Sequence, residues 1–179
     1  MIKGVLIAMA ITLGATGANA QINDKPADKL VLETTKGKVV IALRPDLAPK
    51  HVEQITTLAK KGFYDGVIFH RVIADFMAQT GDPTGTGTGG SDLPDIKAEF
   101  SDTPYVRGTV GMARTSNPNS ANSQFFITFG DTGFLNGQYT VWGQVVEGMD
   151  IVDKINKGEP PANPDKIIKA TVEEAAAAK

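Results

Sequence analysis

The chain has 179 residues, of which 21% are charged and 41% hydrophobic, with a formal net charge of −2 and no cysteine. That length supports one domain with a sizeable core, and its weakly acidic balance, with Lys and Arg scattered, excludes a broad basic surface for nucleic acid. A disulfide framework is excluded outright, so the fold must be held by its core.

Residues 1–20 read as a cleavable export signal. Lys3 gives a positive start, Gly4 to Ala15 is apolar, and Ala18-Asn19-Ala20 is a small-x-small cleavage site. The apolar stretch falls short of the roughly 20 residues a membrane span needs, so cleavage after Ala20 is expected rather than retention as an anchor, with no stable membrane association afterwards. Loss of Lys3 takes the formal charge from −2 to −3 and leaves residues 21–179 as one domain. An exported domain without cysteine suits a periplasm, and the style of the signal suggests a Gram-negative source.

Gln21 to Lys29 is a polar leader. Leu30–Thr34 and Lys38–Leu43 are β-rich runs split by Lys36-Gly37, a hairpin signal. After a loop over Arg44–Ala48, Pro49 opens a helix with Val52, Ile55, Thr56, Leu58 and Ala59 at 3.6-residue spacing, and Lys60, Lys61 and Gly62 suit its end. His51, near its start, is expected to be a solvated surface side chain. Strands follow at Val67–Ile73 and Phe76–Gln79, then a Gly/Thr-rich loop over Gly81–Gly90. Further strands are expected at Thr109–Ala113, Phe125–Phe129 and Val141–Val146, a helix over Met149–Asn156 ended by Gly158, a strand over Ile167–Val172, and an Ala-rich tail, Glu173–Lys179, that frays. About eight short strands with two helices, no repeat and no linker, make a mainly β, α+β single domain.

Chemistry is narrowed by elimination. His51 and His70 are the only histidines and the carboxylates lack ligand spacing, so no dedicated metal site is expected. Gly85 to Gly90 spells G-x-G-x-x-G, but Ser91-Asp92-Leu93-Pro94 follows, and a nucleotide loop needs a helix there. It reads as a flexible loop rich in left-handed positions. No G-x-S-x-G elbow occurs. What remains is one guanidinium and two glutamines among clustered Phe, Met and Leu. Phe69-His70-Arg71 precedes Phe76-Met77-Ala78-Gln79 and Gly81-Asp82; later come Met112-Ala113, Ser123-Gln124-Phe125-Phe126 and Phe134-Leu135-Asn136-Gly137.

The motifs F-H-R-V-I, F-M-x-Q-x-G-D, G-T-G-G, G-x-x-x-M-A, S-Q-F-F-I-T and F-L-x-G stand in the order and near the spacing of the cyclophilin family, which the chain resembles from about Leu30 to about Thr171. The short segment between Gly62 and Phe69 resembles its compact bacterial branch. The resemblance implies a closed eight-stranded antiparallel β-barrel capped by two α-helices, with a peptide groove on its outer face. It implies a peptidyl-prolyl cis-trans isomerase that needs no cofactor or metal, acts on proline-containing unfolded or flexible polypeptides, and assists the folding of exported proteins. Carried over residue by residue, Arg71 matches the catalytic arginine, with Phe76 and Gln79 beside it. Met77, Phe126 and Leu135 match walls of the proline pocket, and Ala113 and Gln124 match groove residues. Three positions depart from the family. Arg114 replaces a groove asparagine, which turns preference toward acidic flanks. Phe134 stands where many members have the tryptophan that contacts cyclosporin, so only weak cyclosporin binding is expected. Tyr139 replaces a pocket histidine. A peptide-binding module or holdase with little catalysis and a structural barrel are the competing readings; the intact Arg and Gln among aromatics favour the isomerase. No heptad or exposed apolar stripe suggests assembly, so a monomer is expected.

Overall fold

β1 (Lys29–Thr34) and β2 (Gly37–Leu43) form the expected hairpin, with Leu30 opposite Ile41 and Thr34 opposite Gly37. The structure, a computed structural model, describes residues 27–176; the export-signal reading, residues 21–26 of the polar leader and the last three residues of the tail lie outside the described residues. Gly37 turns the chain at φ 137°, and the Thr34 hydroxyl accepts the N–H groups of Lys36 and Gly37 at 3.2 Å each.

The other strands are β3 (Arg71–Ile73), β4 (Met77–Thr80), β5 (Thr109–Met112), β6 (Phe125–Thr128), β7 (Val141–Glu147) and β8 (Ile167–Glu173). They join one antiparallel sheet in the order β3-β4-β6-β5-β7-β2-β1-β8. Among the described residues, two helices, α1 (Pro49–Lys60) and α2 (Met149–Asp153), and a 3-10 turn at Gly133–Leu135 complete the elements. The closed barrel implied by the resemblance is corrected to a curled half-barrel, because β3 and β8 end the sheet without pairing in a ladder. The reason is local. The outer edge of β3 is taken by Gly158, which exchanges two backbone hydrogen bonds with Val72 at 2.8 and 2.9 Å. The start of β8 meets instead the segment before β3, where Ile167 donates to the Val67 carbonyl at 2.9 Å. Residues 67–70, expected as strand, therefore carry one isolated bridge, Ile68 to Lys166, rather than a ladder. α2 stops before the expected Asn156, whose N–H is captured by the Asp165 carboxylate at 2.8 Å. At the other end, Glu173 is still strand rather than frayed tail.

Alternation along the strands sends side chains to two packed layers. The larger core lies between the sheet and the helices, with Leu30, Leu32, Ile41, Phe125 and Trp142 fully buried against Ile55 of α1 and Val152 of α2. A smaller cluster of Met77, Tyr105, Phe126, Leu135 and Val141 occupies the other side. Phe125 and Phe126, adjacent on β6, thus serve opposite layers.

His51 corrects its expectation: it is 0% exposed, and its Nδ1 lies 2.6 Å from the Glu99 carboxylate. Glu99 also accepts the N–H groups of Lys50 and His51 at 3.2 and 3.1 Å. It caps the first turn of α1, where Ala48 offers no side-chain cap. Burial, outweighing the carboxylate beside it, lowers the His51 pKa. For Glu99, burial alone would raise the pKa, but the hydrogen bonds from the His51 ring and the two backbone N–H groups together lower it. With both groups depressed, the unfolded chain binds more protons, so their contribution to stability is lost as pH falls. It declines first below about 6.5, where an unfolded histidine protonates. The melting temperature should drop between pH 7.5 and 5.5, and His51→Gln should be less stable at pH 7.5 with a shallower drop. Parallel curves for the two proteins would remove His51 from the effect.

Candidate active site

Strand register assembles the site. Arg71 on β3 lies opposite Gln79 on β4, Gln79 lies opposite Phe126 on β6, and Phe126 lies opposite Gly111 on β5. Directly paired residues of an antiparallel sheet project to the same face. One row across four strands therefore carries a guanidinium, an amide, an aromatic ring and a gap. The gap is filled: a Cβ at Gly111 would collide with the Tyr105 hydroxyl and the Phe126 ring. Tyr105 stacks on Phe126 at 5.8 Å between ring centroids, and its hydroxyl donates to the Tyr139 carbonyl at 3.1 Å. Burial pushes that hydroxyl's pKa far up, so it stays a neutral donor.

The polar side of the row is a chain of hydrogen bonds. Arg71 Nη1 donates to Gln79 Oε1 at 3.3 Å, and Gln79 Nε2 donates to Gln124 Oε1 at 2.9 Å. Gln124 Nε2 ends the chain on the carbonyls of Gly87 and Gly89 at 3.0 and 2.9 Å. The loop that supplies them is not the flexible segment expected. Asp82, 1% exposed, accepts the N–H groups of Thr84, Gly87 and Gly89 and the Thr84 hydroxyl. Burial alone would raise its pKa, but those bonds together bring it down to about 2. Amides that a phosphate-binding loop would offer to a ligand are thus directed at the protein's own carboxylate, and no helix follows over residues 91–100.

Beside Arg71 and Gln79 opens a cleft of about 650 Å³. Its apolar wall is Phe76, Met77, Phe126 and Leu135, of which the last three are buried. Ala113 and Tyr139 close the far side. A second cleft of about 420 Å³ adjoins it, lined in part by Gln124, Thr115 and Asp95; Gln79, Gly87, Ala113 and Arg114 belong to both. Arg114 lies with its guanidinium carbon 4.4 Å above the Tyr139 ring and donates to the carbonyls of Gln138 and Thr115. Phe134 stands apart from this group. It is 67% exposed, meets the Phe76 ring at 5.4 Å between centroids, and does not line the main cleft.

All eleven residues singled out in the sequence therefore lie in or beside one groove, Phe134 at its margin. Sequence reasoning missed five others. Tyr105 and Gly111 act through packing that only the register reveals. Glu159 and Pro160 enter the cleft wall from the loop after α2, and Glu159 Oε1 accepts Arg71 Nε at 2.9 Å. His70 also lines the cleft with both ring nitrogens buried and without a hydrogen-bond partner. Burial, aided by the charge of Arg71, lowers its pKa against the pull of Asp82.

Residues 29–172 match the model of the family described as cyclophilin type peptidyl-prolyl cis-trans isomerase/CLD. A probable peptidyl-prolyl cis-trans isomerase from Brucella suis is 55% identical, over 92% of this chain and 91% of its own. Peptidyl-prolyl cis-trans isomerase ppi1 of Schizosaccharomyces pombe is 42% identical, over 78% of this chain and 95% of its own. Among solved structures, a cyclophilin from Hirschia baltica superposes with a TM-score of 0.74 at 33% identity, covering 80% of this chain and 73% of that one. A cyclophilin type isomerase from Cryptosporidium parvum, in the presence of the dipeptide Ala-Pro, gives 0.75 at 30% identity, covering 80% and 98%.

Proposed function

The chain belongs to the cyclophilin-type peptidyl-prolyl cis-trans isomerases and is an isomerase of X-Pro bonds; from that premise we propose that the Arg71–Gln79–Phe126 row is its catalytic site, with Arg71 stabilising the twisted prolyl amide. The barrier to rotation, roughly 18–20 kcal/mol, comes from the nitrogen lone pair shared with the carbonyl. At the top of the barrier that sharing is lost, and the nitrogen can accept a hydrogen bond. A donor fixed near it binds the twisted state better than either planar one. The Arg71 guanidinium offers five N–H groups and no acceptor. The wall of Phe76, Met77, Phe126 and Leu135 grips the proline ring and keeps water away, which strengthens that bond. Gln79 holds the peptide backbone while the other side of the bond turns, and Ala113, Gln124 and Tyr139 extend the grip along the groove. Nothing is broken or transferred.

The observation that carries this reading is the register itself, which puts donor, clamp and ring wall on one face beside a cleft large enough for a prolyl peptide. Proline-containing flexible chains are the substrates we infer, in keeping with the Ala-Pro dipeptide present with the Cryptosporidium relative. Service to exported proteins in a periplasm rests on residues 1–20 alone, through Lys3, the apolar run and Ala18-Asn19-Ala20. Arg114, which has no carboxylate partner among the described residues, adds positive charge between the two clefts. Magnetisation-exchange NMR on X-Pro peptides tests the whole reading. Exchange should accelerate in proportion to enzyme, and peptides with Asp or Glu beside the X-Pro pair should turn over faster than those with Lys. Binding without acceleration would reduce the protein to a peptide-binding module; equal rates for the two peptide sets would remove Arg114 from substrate choice.

A further inference from the structure

The segment that follows α2 reaches across to the free edge of β3. Val72 and Gly158 exchange two backbone hydrogen bonds there, at 2.8 and 2.9 Å. In an antiparallel pair this register sets the preceding residue of one strand against the following residue of the other. Arg71 and Glu159 are therefore held face to face by main chain, independently of their charges. The turn beyond depends on Gly158, with φ 146° and with an added Cβ falling 2.5 Å from Pro161 Cα. A side chain at that position would displace the segment and the carboxylate with it.

Arg71 is consequently gripped from two sides. Its Nε donates to Glu159 Oε1 at 2.9 Å and its Nη1 to Gln79 Oε1 at 3.3 Å. Two contacts on different nitrogens fix the plane of the rigid guanidinium. The remaining nitrogen, Nη2, has no hydrogen-bond partner among the described residues and belongs to a side chain that lines the cleft. The ion pair contributes little to fold stability, because the two side chains are 43% and 55% exposed and solvent screens their attraction. Its geometry has a different consequence. A donor that must meet a nitrogen pyramidalised only at the top of the barrier gains from being oriented beforehand.

We propose that Glu159 is a positioning residue for isomerisation, holding the Arg71 guanidinium by its Nε so that Nη2 faces the prolyl nitrogen. The inference rests on the reading that Arg71 acts on the twisted amide, and it adds the element that aims it. It commits Glu159 to kcat rather than to peptide affinity, since the carboxylate is engaged with Arg71 and not with the peptide.

The test uses Glu159→Ala and Glu159→Gln in the full chain, with kcat and KM separated by NMR lineshape analysis across peptide concentrations. Glu159→Ala should lower kcat by about 5- to 20-fold with KM within about twofold. Glu159→Gln keeps an oxygen acceptor for Nε and should recover most of the loss. Solvent exchange of the Arg71 Nε–H, followed in nitrogen-15 spectra, should quicken in the alanine variant and not in the glutamine one. In an Arg71→Ala background, Glu159→Ala should have no further effect. Unchanged kcat and unchanged Nε–H exchange would overturn the proposal, and so would a raised kcat, which would make Glu159 a brake. A raised KM at constant kcat would place Glu159 on the peptide instead. If Arg71→Ala itself turned over at the wild-type rate, the catalytic reading would fall; an inactive Arg71→Ala beside a normal Glu159→Ala would sink the positioning role alone.

Discussion

Arg71→Ala should lower kcat/KM for an X-Pro peptide by about 10²- to 10³-fold, the usual cost of deleting one preorganised donor from a reaction centre. The loss should fall chiefly on kcat, because the ring wall of Phe76, Met77, Phe126 and Leu135 remains to bind proline. Arg71→Lys should recover little. A lysine keeps the charge but has neither the rigid plane nor separate nitrogens to be gripped by Glu159 and Gln79. The fold should survive, since the Arg71 side chain is 43% exposed and lies outside both apolar clusters. In wild type, turnover should be nearly flat between about pH 6.5 and 8, where neither arginine nor glutamine titrates. Exchange spectroscopy at several pH values, with folding checked by circular dichroism, reads both results. Persistence of wild-type turnover in Arg71→Ala, or a bell-shaped profile over that range, would refute the mechanism.

Phe125→Ala and Phe126→Ala should separate fold from function at two consecutive residues. Phe125 is 0% exposed and meets Tyr64 and Trp142 edge-on at 5.6 and 5.3 Å. Its loss leaves a cavity that the surrounding strands cannot fill, at a cost of about 3–5 kcal/mol. Turnover by the protein that remains folded should change little. Phe126 faces the groove, 5% exposed, between Tyr105 and Tyr139. Its removal should cost less stability, because the cleft is already open on one side, but should take away about 1.5–3 kcal/mol of grip on the proline ring. That corresponds to roughly a 10- to 150-fold loss in kcat/KM. Denaturant unfolding beside NMR exchange would measure the two quantities. Similar losses of both in the two variants would mean that the layers are not independent.

Much of this fold was legible because β-rich runs separated by Gly, Pro and Asn mark strands, and because Val52, Ile55, Leu58 and Ala59 mark a buried helix face. What was not legible depends on partners remote in sequence. His51 reads as a surface residue until Glu99, 48 residues away, is found on its ring. The half-barrel reads as closed until Gly158 is found occupying the β3 edge. The residues lining the groove were legible as a set but not as a row, because register is set by turns and bulges rather than by motif spacing. The shift between Val110 and Gly111 on β5, for example, follows from no local composition. Glu159 carries no motif at all; its place is fixed by the backbone of its neighbour.

The Gly87–Gly89 loop has a consequence for the glutamines. A carbonyl oxygen can only accept, so the two that meet Gln124 oblige its amide to present NH2 to the loop and oxygen toward Gln79. Gln79 must then turn its own NH2 to Gln124 and its oxygen to Arg71. The direction of every dipole in the chain is dictated from its far end, by main-chain atoms that neither rotate nor ionise. Asp82 keeps those atoms in place, so a carboxylate buried behind the loop sets the polarity of the groove in front of it.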